Sequence, residues 1–380
     1  MIFRNARLIL PEGVCEGLEL VVANKKIVAL RERTDADAVD LAGNYLAPGF
    51  VDLHVHGALG RDTMEATSEA FQIICDHHAS GGTTSLLLTT VTARIADIID
   101  VLRAVRVCAA EIPQLRGVHV EGPFISRARL GAQREEFIRD PDPASVQQLL
   151  EFADVIKRVT LAPELPGAVE LIDQLRERNI AVSGGHSDAT DAEACAGFSH
   201  GMRHMTHTFN CMSSAQRRGI YREAGLLEFA LSEPEIMCEL IADGHHVTKT
   251  LMKMLYRAKG PRGICLVTDA AAGAGLAEGT RFSLGGRDCV VSKGVCLLDD
   301  RSALAGSASR MIDLVRVLVN EVKIPLHEAI TMATANPARA LAAEAKGKLE
   351  AGADADFVVL SPALEVLQTF VAGEPIYRST

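Results

Sequence analysis

Phe50-Val51-Asp52-Leu53-His54-Val55-His56-Gly57 is the stretch from which the fold of this 380-residue chain is read. Its apolar residues predict a short buried strand whose side chains alternate between two faces. His54 and His56, two residues apart, then point the same way, with Asp52 behind them. Two imidazoles side by side at a strand end suit a divalent transition metal. Alone they fit a strand with two satisfied histidines equally well. Later strand ends decide the matter.

Downstream, strand, loop and helix alternate to about Pro337. After 50–56, β-rich runs fall at 83–89, 117–121, 155–161, 180–183, 202–207, 236–241 and 264–268, with amphipathic segments such as 68–80, 94–111 and 168–179 between them. Eight such strands predict a parallel (β/α)₈ TIM barrel over residues 49–340. Beyond the eighth strand, 281–298 predicts a hairpin excursion, and 307–322 and 327–341 predict helices. Upstream, 18–22 and 27–30 are β-rich around a turn at Ala23-Asn24-Lys25-Lys26, and the tail returns to β signals at 356–360 and 366–371. Residues 1–48 and 341–380 therefore predict one composite β-sandwich domain, with Ala47-Pro48-Gly49 at the boundary.

Hydrophobic content of 48% with 23% charged residues is ordinary for a globular enzyme. No apolar run reaches membrane-spanning length and no secretory leader pattern opens the chain. Nine scattered cysteines without a Cys-x-x-Cys pair predict reduced thiols, and the expectation is a cytoplasmic protein. A net charge of −10 disfavours nucleic acid as partner. An anionic small molecule would need a local cationic cluster.

In a parallel barrel, functional groups gather at the C-terminal ends of the strands. His54 and His56 follow the first strand, Glu121 the third, His186 the fifth, His207 the sixth and Asp269 the eighth. Four imidazoles and two carboxylates match zinc, iron or manganese better than calcium or magnesium. Each residue alone reads as a core or loop group; six on one rim read as a metal centre. His119 shares the inward face with Glu121, a position from which it orients that carboxylate. His77, His78, His200, His204 and His327 have no evident ligand partners.

His-x-His after a first strand resembles the amidohydrolase superfamily. His119-Val120-Glu121-Gly122-Pro123-Phe124, Gly185-His186-Ser187-Asp188-Ala189-Thr190, Thr206-His207-Thr208-Phe209-Asn210, Ile241-Ala242-Asp243-Gly244-His245-His246-Val247 and Val267-Thr268-Asp269-Ala270 resemble the N-acetylglucosamine-6-phosphate deacetylase family. The likeness runs from residue 48 to the Gly352-Ala353-Asp354-Ala355-Asp356 segment and covers nearly the whole chain. It implies a barrel with a small β-sandwich, a homodimer, and hydrolysis of the acetamide of an amino-sugar phosphate. It implies one or two divalent metals per subunit, zinc first, with iron, manganese and cobalt as alternatives. Glu121, His186 and His207 match the metal site common to the family, and His54 and His56 the additional one. Glu121 would bridge the two, with Asp269 near the first.

A divalent metal brings the pKa of water down to about 7 and polarises the acetyl carbonyl. Asp269 would take the proton of the attacking water and pass it to the departing amine, as base and then acid. Arg222 matches the family's phosphate-binding arginine, which reaches into the neighbouring subunit's site; without the resemblance it reads as a solvated loop residue. Asn210, Cys211 through its backbone, and His246 match other sugar-phosphate contacts. Where the family has Gly-Ala-His, this chain has Gly131-Ala132-Gln133. Gln133 cannot carry positive charge, though it can hydrogen-bond the acetyl oxygen or a sugar hydroxyl. The change bears on which sugar is taken, so N-acetylgalactosamine 6-phosphate and another N-acyl amine or cyclic amide stand as alternatives. A catalytically silent barrel used as a scaffold sits badly with a chain that keeps every ligand.

Overall fold

The computed structural model describes residues 1–34 and 37–379. Its centre is an eight-stranded parallel sheet in which each strand pairs with the next in sequence: Phe50–Val55, Thr83–Thr89, Leu115–Glu121, Ile156–Leu161, Ala181–Gly184, His204–Met205, Met237–Leu240 and Ile264–Leu266. The sheet closes through a short seam. Ala270 bridges Val55 in parallel, the Asp269 N–H donates to the His54 carbonyl at 2.9 Å, and the Asp52 carboxylate ties the two strands together. Asp52 accepts from the Thr268 hydroxyl (2.6 Å), the Thr268 N–H (3.2 Å) and the His54 N–H (3.3 Å). Burial pushes this carboxyl up to about 7 even against those donors. Its role is thus to close the barrel directly beneath the histidines. Asp52→Ala should take the carboxylate acceptor from the buried N–H groups of Thr268 and His54, leave the Thr268 hydroxyl only the His54 carbonyl at 3.4 Å, and cost about 3 kcal/mol or more. A lowered urea unfolding midpoint checks this; an unchanged one would mean the seam holds without Asp52.

Helices pack on the outside of the sheet by their apolar stripes. In Ile95–Cys108 the buried residues are Ile95, Ile98, Val101, Leu102, Val105 and Cys108, the three- and four-residue spacing of one helix face. The sixth strand is shorter than its sequence suggests because the backbone leaves the β region at once, with φ of +29° at His207 and +83° at Phe209. The helix expected over 327–341 is two, Leu326–Ala333 and Ala335–Ala340. Pro337 explains the break: it has no N–H for a continuous helix and its ring crowds the carbonyl four residues back.

Both termini build the second layer. A four-stranded sheet (Lys26–Glu32, Leu18–Ala23, Ile2–Arg4, Val39–Asp40) faces a six-stranded one (Glu374–Arg378, Val366–Val371, Phe357–Leu360, Tyr45–Pro48, Arg7–Leu10, Gly13–Cys15). Between them lie Leu8, Leu20, Ile27 and Leu46, and Phe3 sits edge-on to Phe357 and Phe370, whose rings stack at 4.5 Å. Only Gly49 separates this sandwich from the first barrel strand. A Cβ there would lie 2.2 Å from the Thr84 hydroxyl, so no other residue fits.

The excursion after the eighth strand is larger than a hairpin. Arg281–Leu284, Arg287–Ser292, Val295–Leu298 and Leu304–Ser307 form a four-stranded antiparallel flap. Its last residue is claimed by the barrel rather than by the next helix, which starts at Met311. The Ser307 N–H donates to the Asp269 carbonyl at 2.7 Å, and the Ser307 carbonyl accepts from the Ala271 N–H at 3.0 Å. Leu284, Cys289, Cys296 and Ala305 pack on Val91 and Ala271. The flap thus lies over the mouth of the barrel.

Candidate metal centre

The six side chains expected to meet do meet. His54 lies near the end of the first strand and His56 just past it, on one face, and Glu121 is the last residue of the third strand. His186, His207 and Asp269 lie just past the fifth, sixth and eighth strands, and all three have positive φ (+46°, +29° and +48°). That left-handed backbone, rare for residues with a side chain, turns each chain end inward over the barrel axis. All six are buried, Asp269 the most exposed at 8%.

They form two triads, His54–His56–Asp269 and Glu121–His186–His207, whose ligand atoms within each triad lie within 4.8 Å of one another. In the first, Nε2 of His54 and of His56 are 3.1 Å apart, and Asp269 Oδ1 is 3.4 and 3.3 Å from them. In the second, Nε2 of His186 and of His207 are 3.1 Å apart, with Glu121 Oε1 at 3.3 and 3.2 Å. Glu121 also spans the gap, with Oε1 3.5 Å from His54 Nε2 and Oε2 3.4 Å from His56 Nε2. Tetrahedral bonds of about 2.0–2.1 Å have edges of about 3.3 Å, so the donor set fits a zinc-sized cation.

Tautomers agree with that fit. The Nδ1 of His56 faces the Thr89 carbonyl (3.2 Å) and that of His186 the Arg129 carbonyl (2.8 Å), so each Nδ1 carries the proton and each Nε2 turns a lone pair inward. Nitrogen lone pairs facing each other at 3.1 Å repel unless a proton or a metal cation lies between them. In the protein by itself, protons fill that need. Burial alone would discharge the rings, but Asp269 and Glu121 hold His54 well above the usual imidazole range and His56 up at about 9. Conversely, His54 and His186 outweigh burial to hold Glu121 well below the carboxylate range, and His54 and His56 bring Asp269 down to about 2.

Beside the triads is a cavity of about 210 Å³, lined by His56, Glu121, His186, His207 and Asp269 together with Gln133, Asn210, Cys211 and His246. Leu284 and Ala303-Leu304-Ala305-Gly306 of the flap roof it. Gln133 is pinned: the Thr92 N–H donates to its Oε1 and its Nε2 donates to Glu121 Oε2, both at 2.7 Å. His246 is held by Asp243 at 2.7 Å, which leaves its Nε2 for the cavity. Asn210 donates to the His207 carbonyl at 3.2 Å. Arg222 stands apart, exposed on the hairpin Gln216–Arg218 and Tyr221–Glu223. Among the described residues no lysine or arginine lines the cavity.

His119 lies behind His54 rather than against Glu121: its ring meets that of His54 edge-on at 4.6 Å, and its nitrogens face Thr89 (3.3 Å) and Thr160 (2.7 Å). Sequence reasoning passed over Glu239, Arg158 and Asp243. Glu239 had a signal, a lone acid in the otherwise apolar Met237-Cys238-Glu239-Leu240 strand. Its carboxylate, brought down to about 2 by Arg158 against burial, touches His54 Nδ1 at 3.4 Å and accepts the His207 N–H at 2.9 Å.

The sequence profile of the amidohydrolase family matches residues 45–376. An N-acetylglucosamine-6-phosphate deacetylase of Lysinibacillus sphaericus is 34% identical, over 98% of this chain and 97% of its own. The chain belongs to the N-acetylglucosamine-6-phosphate deacetylase family, within the amidohydrolases. An N-acetylgalactosamine-6-phosphate deacetylase of Escherichia coli O157:H7 is 32% identical over 98% of both chains. Among solved structures, the crystal structure of the N-acetylglucosamine-6-phosphate deacetylase from Pasteurella multocida superposes with a TM-score of 0.94 at 33% identity, covering 100% of this chain and 99% of its own. Family membership and the two triads together support a divalent metal at this amidohydrolase site. No helix of the described residues is long and apolar enough to cross a membrane.

Proposed function

We propose that this chain hydrolyses the acetamide of N-acetylglucosamine 6-phosphate to glucosamine 6-phosphate and acetate. The observation that carries the proposal is the pair of triads, spanned by Glu121, at the wall of a cavity of about 210 Å³. Zinc is the metal proposed, with iron, manganese or cobalt as alternatives. When bound, it supplies an acidified water and a polarised acyl carbonyl. Asp269 then takes the proton as carbon–oxygen bond formation proceeds and returns it to the amide nitrogen, so that the amine leaves neutral. Gln133, Asn210, the Cys211 backbone and His246 orient the sugar, and the flap excludes bulk water.

The phosphate needs a cation, and among the described residues no lysine or arginine lines the cavity of one subunit. Arg222 of a second copy meets that need, which makes the working unit a homodimer. The exposed Ile220 (79%) and Tyr221 (70%) beside it, apolar groups at the tip of a projecting hairpin, suit burial in such a contact. Arg222→Ala should raise KM for the phosphorylated substrate about 10²-fold or more, as expected for loss of a bidentate charge-assisted pair, and leave an unphosphorylated substrate unaffected. Equal losses on both would place Arg222 outside phosphate binding. Nine free thiols suit a cytoplasmic setting.

A second substrate, N-acetylgalactosamine 6-phosphate, is favoured by one observation: Gln133 occupies the cavity wall as a neutral amide, with Glu121 holding one of its N–H groups. Acetate release from both epimers, each with and without the 6-phosphate, tests the proposal. Turnover of the gluco epimer should exceed the others. A preference for the galacto epimer would move the assignment to that sugar, and metal-loaded protein inactive on all four would move it to another N-acyl amine or cyclic amide.

A further inference from the structure

Below the triads the barrel interior is polar. From the Val55 N–H, hydrogen bonds run through Thr89, His119, Thr160, Thr206 and Ser183 to Arg158. Arg158 and Glu239, each 1% exposed, then pair at 2.9 Å. A buried ion pair of this kind contributes little net stability, because desolvating both charges offsets their attraction. The other oxygen of Glu239 points upward. Oε2 accepts the main-chain N–H of His207 at 2.9 Å and lies 3.4 Å from His54 Nδ1.

One carboxylate oxygen therefore touches one member of each triad. Through Nδ1 it sets the ring of His54, whose Nε2 faces His56 and Asp269. Through the N–H it holds His207 at φ +29°, where a side-chain-bearing residue is strained. We propose that Glu239, with Arg158 as its counter-charge, is a positioning residue that couples the two halves of the metal centre. The coupling rests on the assignment of both triads as metal sites.

Zinc titration of chelator-stripped protein against a competing chromophoric chelator, with bound zinc counted by mass spectrometry, tests it. The parent should take up two equivalents. Glu239→Gln keeps the shape and should weaken both by about 10- to 100-fold, the usual effect of losing a group that orients a ligand. Removing both charges, Arg158→Met with Glu239→Leu, guards against loss of fold from an unpaired arginine; it should unfold no more easily than Glu239→Gln yet bind zinc as poorly. Thr160→Val removes a hydroxyl of the same polar layer that bonds His119 and Thr206 rather than Glu239 or a triad side chain, and should bind like the parent. Parent-like affinity in either Glu239 variant makes the pair merely structural and overturns the proposal, as does weakening confined to one site. A parent that binds one equivalent also overturns the coupling, and a parent that binds none overturns the metal assignment itself.

Discussion

Asp269→Asn should lower kcat by about 10²- to 10⁴-fold, the range expected when a general acid–base is removed, with KM little changed. Asparagine keeps the size of the side chain and one oxygen within reach of His54 and His56, so metal content should largely survive. It cannot take a proton. In the metal-free protein the charged His54 and His56 hold the parent carboxyl down at about 2. Delivery to the amide nitrogen matters as much as uptake from the attacking water, because an unprotonated amine is a poor leaving group. Steady-state kinetics and metal content on the same preparation check the expectation. Near-parent turnover would leave Asp269 as a strand-end carboxylate that shapes the site without moving protons.

Much of this was legible in the sequence because period-two alternation and strand ends carry the geometry. His54-x-His56 had to share a face, and an acid closing an apolar strand, as Glu121 does, had to reach the barrel mouth. The backbone at His186, His207 and Asp269 was not legible: positive φ at those residues is imposed by neighbours such as Glu239 and Ser307, distant in sequence. The flap was underread for a similar reason. Its fourth strand, Leu304–Ser307, is held by pairing with Val295–Leu298 and Ala270 rather than by its own composition. Arg158 and Glu239 were passed over because an isolated charge in a strand says nothing of its partner; only folding puts 158 and 239 side by side. Gln133 lines the cavity as its sequence position suggests, and its second duty, holding Glu121, depends on a bond from the Thr92 N–H that no local pattern encodes.

Stripping the metal should abolish acetamide hydrolysis, and added zinc, manganese, cobalt or ferrous ion should restore it to differing extents. Among the described residues no lysine or arginine lines the cavity to polarise a carbonyl, and Asp269, down at about 2, is far too weak a base for bulk water. The stripped protein should nonetheless stay folded near neutral pH, because protons on the imidazoles balance Glu121 and Asp269. That substitution has a definite pH signature. His56 titrates at about 9 in the folded chain and at about 6.5 when unfolded, and His54 and His186 are raised in the same direction. Groups raised on folding stabilise fully below the unfolded value, and the contribution is lost as pH climbs through the folded one. The melting temperature of stripped protein should therefore fall between about pH 6.5 and 9. Metal-loaded protein, whose histidines are held neutral by ligation, should lack that decline or rise with pH as metal affinity grows. Parallel melting curves for the two forms would show that protons do not stand in for the metal, and retained hydrolysis after stripping would remove the metal from the chemistry altogether.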